Sequence, residues 1–323
     1  MKDVILVSLD YPAKNSAISQ YVERLHNGTS YPRIILSSNS ANHAFISLVT
    51  SSLRAYASNR FSGRKFLVSI DGKYLFPDLM VVFHPYQVKE NRVEEALNNF
   101  AMRNADSFIA ISDFVAGQVR SKFNKPLRVI KCGVDVHEVV PRVSRKDEIV
   151  VSHVGGIAPG ASRRTPMLQV PRILRETFPG KNIRFIHVRG KLNENELALQ
   201  ENCQKYKINY DLRPPQANEG VYGIYAESDI YIYLSLEEGY SITPAEALSM
   251  ETPAVINDLP IHIEVYGGKP GVNFCRLTSE ETVREALTNA YQMGPSATYR
   301  EKAIERTWQD MIDEFSDYVS TLL

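Results

Sequence analysis

Short runs of branched and aromatic residues alternate with amphipathic stretches along the whole chain, and this alternation limits the fold more than any other feature. The runs lie at 4–8, 33–36, 66–70, 79–83, 108–111 and 127–130 in the first half, and at 149–153, 183–187, 208–212, 229–234, 253–256 and 272–275 in the second. All have strand length, and several are apolar throughout, as strands covered on both faces are. Between them Ile18, Tyr21, Val22 and Leu25 keep helical spacing, Phe114, Val115 and Val119 keep it more loosely, and 168–178 reads as a further helix. Strand, helix and strand in this order predict βαβ units and an α/β fold with parallel sheets.

A chain of 323 residues, 44% of them hydrophobic, can build two domains of about 150 residues, each with its own core. The polar, proline-bearing stretch from Val140 and Pro141 to Asp147 predicts the join, giving domains at 1–143 and 144–299. The last helix, from about residue 300 to 323, carries Ala303, Trp308, Met311, Ile312, Phe315 and Val319, an apolar stripe long enough to reach beyond its own domain. No apolar run is long enough for a membrane span, and the opening Met1-Lys2-Asp3 is charged too soon for a secretory signal. Cys132, Cys203 and Cys275 are odd in number and widely spaced, so neither a disulfide framework nor a zinc site is indicated and a cytoplasmic setting is expected.

Charge is balanced in total but not in place. Residues 1–145 hold 19 Lys and Arg against 12 Asp and Glu, a net of +7, and the remainder carries −7. Either the halves attract each other, or the basic half meets an anionic surface such as a membrane, where a peripheral contact is expected; a nucleic acid ranks below these because no long basic run occurs.

The chemistry concentrates after the run at 229–234, in Glu238-Gly239-Tyr240-Ser241-Ile242-Thr243-Pro244-Ala245-Glu246. Open parallel sheets bind ligands beyond the carboxyl ends of their strands, and here two carboxylates flank a turn of backbone N–H groups. Thr243 reads as an N-cap with Pro244 at the first helical position, which aims N–H groups and the positive end of the helix dipole at an anion. Thr243-x-x-Glu246 is equally a capping box, in which Glu246 only returns to the Thr243 N–H. Spacing alone admits both roles.

In order along the chain, Ala105-Asp106-Ser107-Phe108-Ile109-Ala110-Ile111-Ser112, Arg128-Val129-Ile130, Gly133-Val134-Asp135, Ala226-Glu227-Ser228-Asp229, the Glu238-Gly239 turn, Pro244-Ala245-Glu246-Ala247 and Thr252-Pro253-Ala254-Val255-Ile256 form one motif series. The series resembles that of the retaining nucleotide-sugar glycosyltransferases of the glycogen-synthase-like group, glycosyltransferase family four. The likeness covers about residues 78–268 and is most specific at 226–256.

The resemblance implies a GT-B fold, with two Rossmann-like domains whose parallel sheets face a central cleft. The first domain takes the acceptor side, the second binds the donor, and the last helix crosses back to the first. It implies transfer of a hexose from a UDP or GDP sugar to an acceptor hydroxyl with retention of configuration, with no cofactor beyond the sugar nucleotide and no metal. The acceptor is open between a lipid-linked sugar, a glycan and a protein. A non-catalytic nucleotide- or sugar-binding protein of the same fold is the alternative, because two family features are altered.

One altered feature is the phosphate loop. Gly155 and Gly156 allow close backbone approach after the run at 149–153, and Arg163 and Arg164 precede a helix start at Thr165-Pro166. The family has a Gly-Arg pair and then a lysine; here Gly156 stands in the arginine's place and Arg163 and Arg164 in the lysine's. The other is the loop at 10–19, which lacks the relatives' Gly-Gly turn. His84, after the run at 79–83, matches a histidine that touches the donor sugar in related enzymes, although a hydrogen-bonded structural histidine fits as well. By the same likeness Glu238 meets sugar hydroxyls, Glu246 the ribose diol, and Gly239, Tyr240, Ser241, Ile242 and Thr243 line the donor. No G-x-G-x-x-G follows the first strand, which sets a dinucleotide dehydrogenase aside.

Overall fold

The structure, a computed structural model, describes residues 107–139, 147–157, 165–189, 193–214, 218–236 and 238–322, and nearer the start the strands at 4–11, 34–38, 67–68, 74–75 and 79–83 with positions 24, 28 and 103. The chain divides into two compact units, Met1–Gly133 with Trp308–Leu323, and Val134–Thr307. Residues 140–146 of the polar stretch lie outside the described residues.

In the first unit β1 (Val4–Tyr11), β2 (Ile34–Ser38), β5 (Leu79–Phe83), β6 (Ser107–Ala110) and β7 (Leu127–Val129) form one sheet in the order β2-β1-β5-β6-β7. All its pairings are parallel. The run at 66–70 does not join it. Its strand β3 (Leu67–Val68) pairs antiparallel with β4 (Tyr74–Leu75), a strand the sequence reading missed. So short a connection excludes a parallel crossover, which needs a dozen residues or more. β1 also takes in Asp10 and Tyr11, which the sequence reading gave to a loop at 10–19; residues 12–19 lie outside the described residues. After β6, Ser112 caps α1 (Asp113–Arg120) by accepting from Val115 N at 3.1 Å, which fixes Val115, Ala116 and Val119 on the buried face.

The second unit begins with β8 (Glu148–Val154). A 3-10 turn (Thr165–Gln169), α2 (Val170–Thr177), β9 (Asn182–Val188), α3 (Glu194–Lys205) and β10 (Asn209–Arg213) follow. Next come α4 (Asn218–Glu227), β11 (Ile230–Tyr233), α5 (Thr243–Ser249), β12 (Ala254–Asn257), α6 (Pro260–Tyr266), β13 (Val272–Cys275), α7 (Glu280–Met293) and α8 (Ala297–Ala303). The sheet is wholly parallel, in the order β10-β9-β8-β11-β12-β13. The chain therefore walks from β8 to one edge, returns through α4, and lays β11 on the other side of β8. Asp229 makes that return specific: its N–H donates to Val150 O and its Oδ2 accepts from Val150 N, both at 2.8 Å.

Alternation along the strands supplies two buried faces rather than one wet and one dry. Ile149, Val151, Ile230, Ile232 and Val255 pack on one side with residues of α2, α3 and α7. On the other side Tyr231, Tyr233, Ala254 and Ile256 pack with residues of α4, α5 and α8.

The last helix of the sequence reading is in fact two. α8 ends at Ala303 and α9 (Trp308–Leu322) begins after a break, because Thr307 bridges to Val134 and Arg306 O accepts from Val134 N at 3.0 Å. A helical backbone there would spend that carbonyl on its own next turn. α9 buries Trp308, Met311, Ile312, Phe315 and Val319 within the first unit. The Tyr318 hydroxyl bonds that of Ser107, Glu314 pairs with Arg128 at 3.1 Å, and the Arg24 guanidinium lies 4.6 Å from the centre of the Trp308 ring.

Glu227 closes an ion network over β9 and β10. Its oxygens take Arg184 at 2.7 Å and Arg213 at 2.8 Å, and Asp211 takes Arg213 at 2.8 Å. Burial pushes the Glu227 carboxyl up, but the hydrogen bonds from Arg213 and Arg184 outweigh it and hold the group down to about 2. The folded value lies below the ordinary 4.5, so the stabilisation is complete above about pH 4.5 and is lost as pH falls toward about 2. Glu227→Gln is expected to lower unfolding stability at pH 7 by about 1–2 kcal/mol, discounted for solvent screening, with the difference vanishing near pH 2. Urea melts at both pH values check this, and equal stability at pH 7 contradicts it.

Candidate donor-binding site

β8 and β11 are the strands at which the sheet order reverses. A crevice opens beyond the carboxyl ends of strands at such a reversal. Two segments meet this place: Gly155-Gly156-Ile157 after β8, and Leu234 to Thr243 after β11.

The glycine segment is braced on every side. Gly155 has φ 117°, which suits glycine alone. Its N–H donates to Val188 O at 3.2 Å, and its carbonyl accepts from His187 Nε2 at 2.9 Å. In the neutral ring that carbonyl requires the proton on Nε2, so the Tyr210 hydroxyl, 2.7 Å away, donates to Nδ1. Ile157 N donates to Glu196 Oε1 at 3.0 Å, and Asn193 Nδ2 donates to Ile157 O at 2.6 Å. Asn193 and Glu196 form the capping box of α3, so one helix start holds the turn from below.

The second segment hangs on tyrosines. β11 alternates Ile230 and Ile232 with Tyr231 and Tyr233, and the phenols reach the turn: Tyr233 donates to Glu238 Oε1 at 2.6 Å, and Tyr231 to Thr243 Oγ1 at 2.7 Å. Ser235 Oγ adds a second donor to Glu238 Oε1 at 2.9 Å. From α4, Tyr225 donates to Glu246 Oε2 at 2.8 Å. Burial, with the Glu246 charge beside it, holds the Tyr225 phenol well above its ordinary value, so it remains a donor at any working pH. The Tyr266 hydroxyl donates to the Ser241 carbonyl. Asn257, at the end of β12, exchanges two bonds with the Ser235 backbone, at 3.0 and 2.6 Å.

Thr243 is not the N-cap that the sequence suggested. Ile242 takes that position without a side-chain cap bond, and Thr243 is the first residue of α5. Its hydroxyl oxygen accepts from Tyr231 of the strand that α5 packs on, a partner that local spacing does not reveal. With Thr243 inside the helix, the proposed capping box has lost its cap.

Of the site residues read from sequence, Gly155, Gly156, Glu238, Gly239, Tyr240, Ser241, Ile242 and Thr243 fall on these two segments, and Glu246 follows in the first turn of α5. His84, Arg163 and Arg164 lie outside the described residues. Arg189 was missed. It follows β9, and β9 pairs with β8 so that Val188 stands opposite Val154, which puts Arg189 beside the glycines. Registering the two apolar runs against each other would have found it.

The two parallel sheets belong to the GT-B architecture, and the chain has that fold. No family model matches the chain. It is similar to HepE of Anabaena, solved with UDP and glucose, with a TM-score of 0.70 and 11% identity over 99% of this chain and 100% of that one. It is similar also to the lipopolysaccharide outer core galactosyltransferase WaaB, with a TM-score of 0.66 and 13% identity over 99% and 100% of the two chains. A curated relative, the O-antigen chain mannosyltransferase RfbU of Salmonella typhimurium LT2, is 26% identical over 97 residues, which are 30% of this chain and 23% of that protein.

His262 offers a test of how the second segment is held. Its Nδ1 faces Asn257 O at 2.7 Å and its Nε2 faces Ser241 Oγ at 2.8 Å. The carbonyl only accepts, so the neutral ring carries its proton on Nδ1 and Ser241 donates to Nε2. Burial lowers the His262 value below the ordinary 6.5, against opposing contributions from the Asn257 carbonyl and Glu238. The contribution to stability is therefore complete above about pH 6.5 and falls as pH drops toward the folded value. Ring-nitrogen chemical shifts are expected to show a neutral Nδ1–H tautomer at pH 6.5, and Ser241→Ala to cost about 1 kcal/mol. A charged imidazole at that pH contradicts the assignment.

Proposed function

We propose that this protein transfers a sugar from a nucleotide-diphosphate donor to an acceptor hydroxyl with retention of anomeric configuration. One observation carries the reading: Glu238 and Glu246, each fixed by a phenol donor, stand with the glycine turn at the strand-order reversal of a GT-B fold. In this reading Glu238 accepts from sugar hydroxyls and Glu246 from the ribose diol, while Arg163, Arg164 and the backbone of the glycine turn face the diphosphate. His84 belongs to the sugar side.

Cleaving the bond between the anomeric carbon and the phosphate oxygen leaves an oxocarbenium-like sugar and a diphosphate anion, so donors at the leaving group matter more than a strong base. The acceptor oxygen bonds the anomeric carbon on the face the phosphate leaves, and its proton passes to a leaving phosphate oxygen. Neither a protein nucleophile nor a metal takes part in this scheme. A lipid-linked sugar is the acceptor class we favour, since two similar proteins are named for O-antigen chain and lipopolysaccharide core synthesis. The net +7 of residues 1–145 suits an anionic bilayer. The setting is then cytoplasmic, at the membrane face.

A thermal-shift screen of uridine, guanosine and adenosine diphosphates and their sugars tests the donor, since a ligand at 100 times its Kd adds about 2.7 kcal/mol. Glu246→Ala is expected to weaken the bound ribonucleotide at least about tenfold, or 1.4 kcal/mol, and its 2′,3′-dideoxy analogue much less. Equal losses for the two would remove the ribose role. Donor binding without turnover on any acceptor, or slow hydrolysis to free sugar, would instead favour a non-catalytic binding protein.

A further inference from the structure

Gly156 presents a problem that the phosphate-loop reading does not solve. Unlike Gly155 it has no positive φ, so its backbone would accept any residue. What a side chain would meet there is Arg189: a Cβ on Gly156 would lie 2.5 Å from the guanidinium carbon, 2.5 Å from Nη1 and 2.8 Å from Nη2, and would have to push the end of that arginine aside. All three are below the distance at which carbon can sit, so the guanidinium lies flat over the bare Cα. The glycine makes room for an arginine, and the arginine stands where the sheet order directs a ligand.

The arginine is held by one edge only. Its Nε is 2.8 Å from Glu196 Oε1, off the line of a hydrogen bond, and Glu196 is fully buried. That carboxylate also accepts from Ile157 N at 3.0 Å and Asn193 N at 2.6 Å, so backbone donors share its charge. Among the described residues Nη1 and Nη2 have no hydrogen-bond partner, and the side chain keeps 37% of its exposure. A half-exposed fork, anchored at Nε and presenting its outer N–H groups, matches phosphate oxygens in pairs.

We infer that Arg189, seated on Gly156 and anchored by Glu196, binds the diphosphate of the donor. The assignment rests on the nucleotide-sugar reading above and adds a cation from the neighbouring strand β9. The altered phosphate loop then keeps a guanidinium beside its glycines, supplied from a different strand.

Calorimetric titration with inorganic pyrophosphate, UDP, GDP and the phosphate-free nucleosides tests this on the full chain. Arg189→Ala is expected to weaken pyrophosphate and the preferred diphosphate at least about tenfold and to leave the nucleoside unchanged. Arg189→Lys keeps a cation for Glu196 but lacks the fork, and is expected to weaken them several-fold. Gly156→Ala, which pushes the guanidinium aside but keeps its charge, should weaken them less than Arg189→Ala does, and should add nothing in the Arg189→Ala background. Should Arg189→Ala fail to fold with Glu196 left unpaired, the lysine and Gly156 variants still decide. Unchanged pyrophosphate affinity in these variants, with only a lower Tm, would leave Arg189 a structural partner of Glu196 and overturn the assignment alone. So would a Gly156→Ala penalty of equal size in both backgrounds. Absence of diphosphate binding by the unmodified protein overturns the donor reading and this assignment together.

Discussion

Where α4 ends, Asp229 pairs with Val150, and everything at the site depends on that pairing. A chain that had gone β8, β9, β10 outward would most simply add its next strand beyond β10. Asp229 instead bonds Val150 with both its backbone N–H and its carboxylate, one exchange of each polarity, before the strand proper begins at Ile230. The strand is thereby committed to the far side of β8. Helices on opposite sides then diverge from the carboxyl ends of β8 and β11 and leave room for a ligand. The motif residues around Asp229 follow suit: Ser228 ties back to Ile224 O at 2.7 Å and Glu227 holds two arginines. A run that looks like a recognition signature is here a device for choosing a neighbour.

The same strand solves a second problem. The turn that carries Glu238 and leads into Glu246 has to be held still. β11 does this by giving one face to isoleucines and the other to tyrosines, whose rings fill the core while their hydroxyls serve the turn. Phenols suit the task because each buries a large apolar area and offers a single donor at its tip. Tyr225 and Tyr266 extend the pattern from the neighbouring helices.

Strand positions were legible because residues covered on both faces must be apolar in succession: β11 and β12 are buried at every position and fall on the runs at 229–234 and 253–256, β12 ending one residue later. The end of β11 was legible for a related reason, since its apolar run stops at Ser235 before the Glu238-Gly239 turn. Thr243 was misread because its partner, Tyr231, comes from the strand beneath the helix, and local spacing favours the cap it resembles. The break after Ala303 was hidden likewise, because an apolar stripe at helical spacing continues through it and only the bridge to Val134 interrupts the backbone. Arg189 was invisible in a polar segment, Arg189-Gly190-Lys191, that reads as ordinary surface.

That bridge between Val134 and Thr307 also sets an order of events during synthesis. The second unit begins and ends at two residues that lie side by side, so it is complete once Thr307 has left the ribosome. The first unit is not: its sheet is made early, yet the helix bearing Trp308, Met311, Phe315 and Val319 is translated after the whole of the second unit. Vectorial folding finishes the N-terminal unit first in most chains, but here the first unit cannot bury that helix's apolar stripe until the second unit has been synthesised.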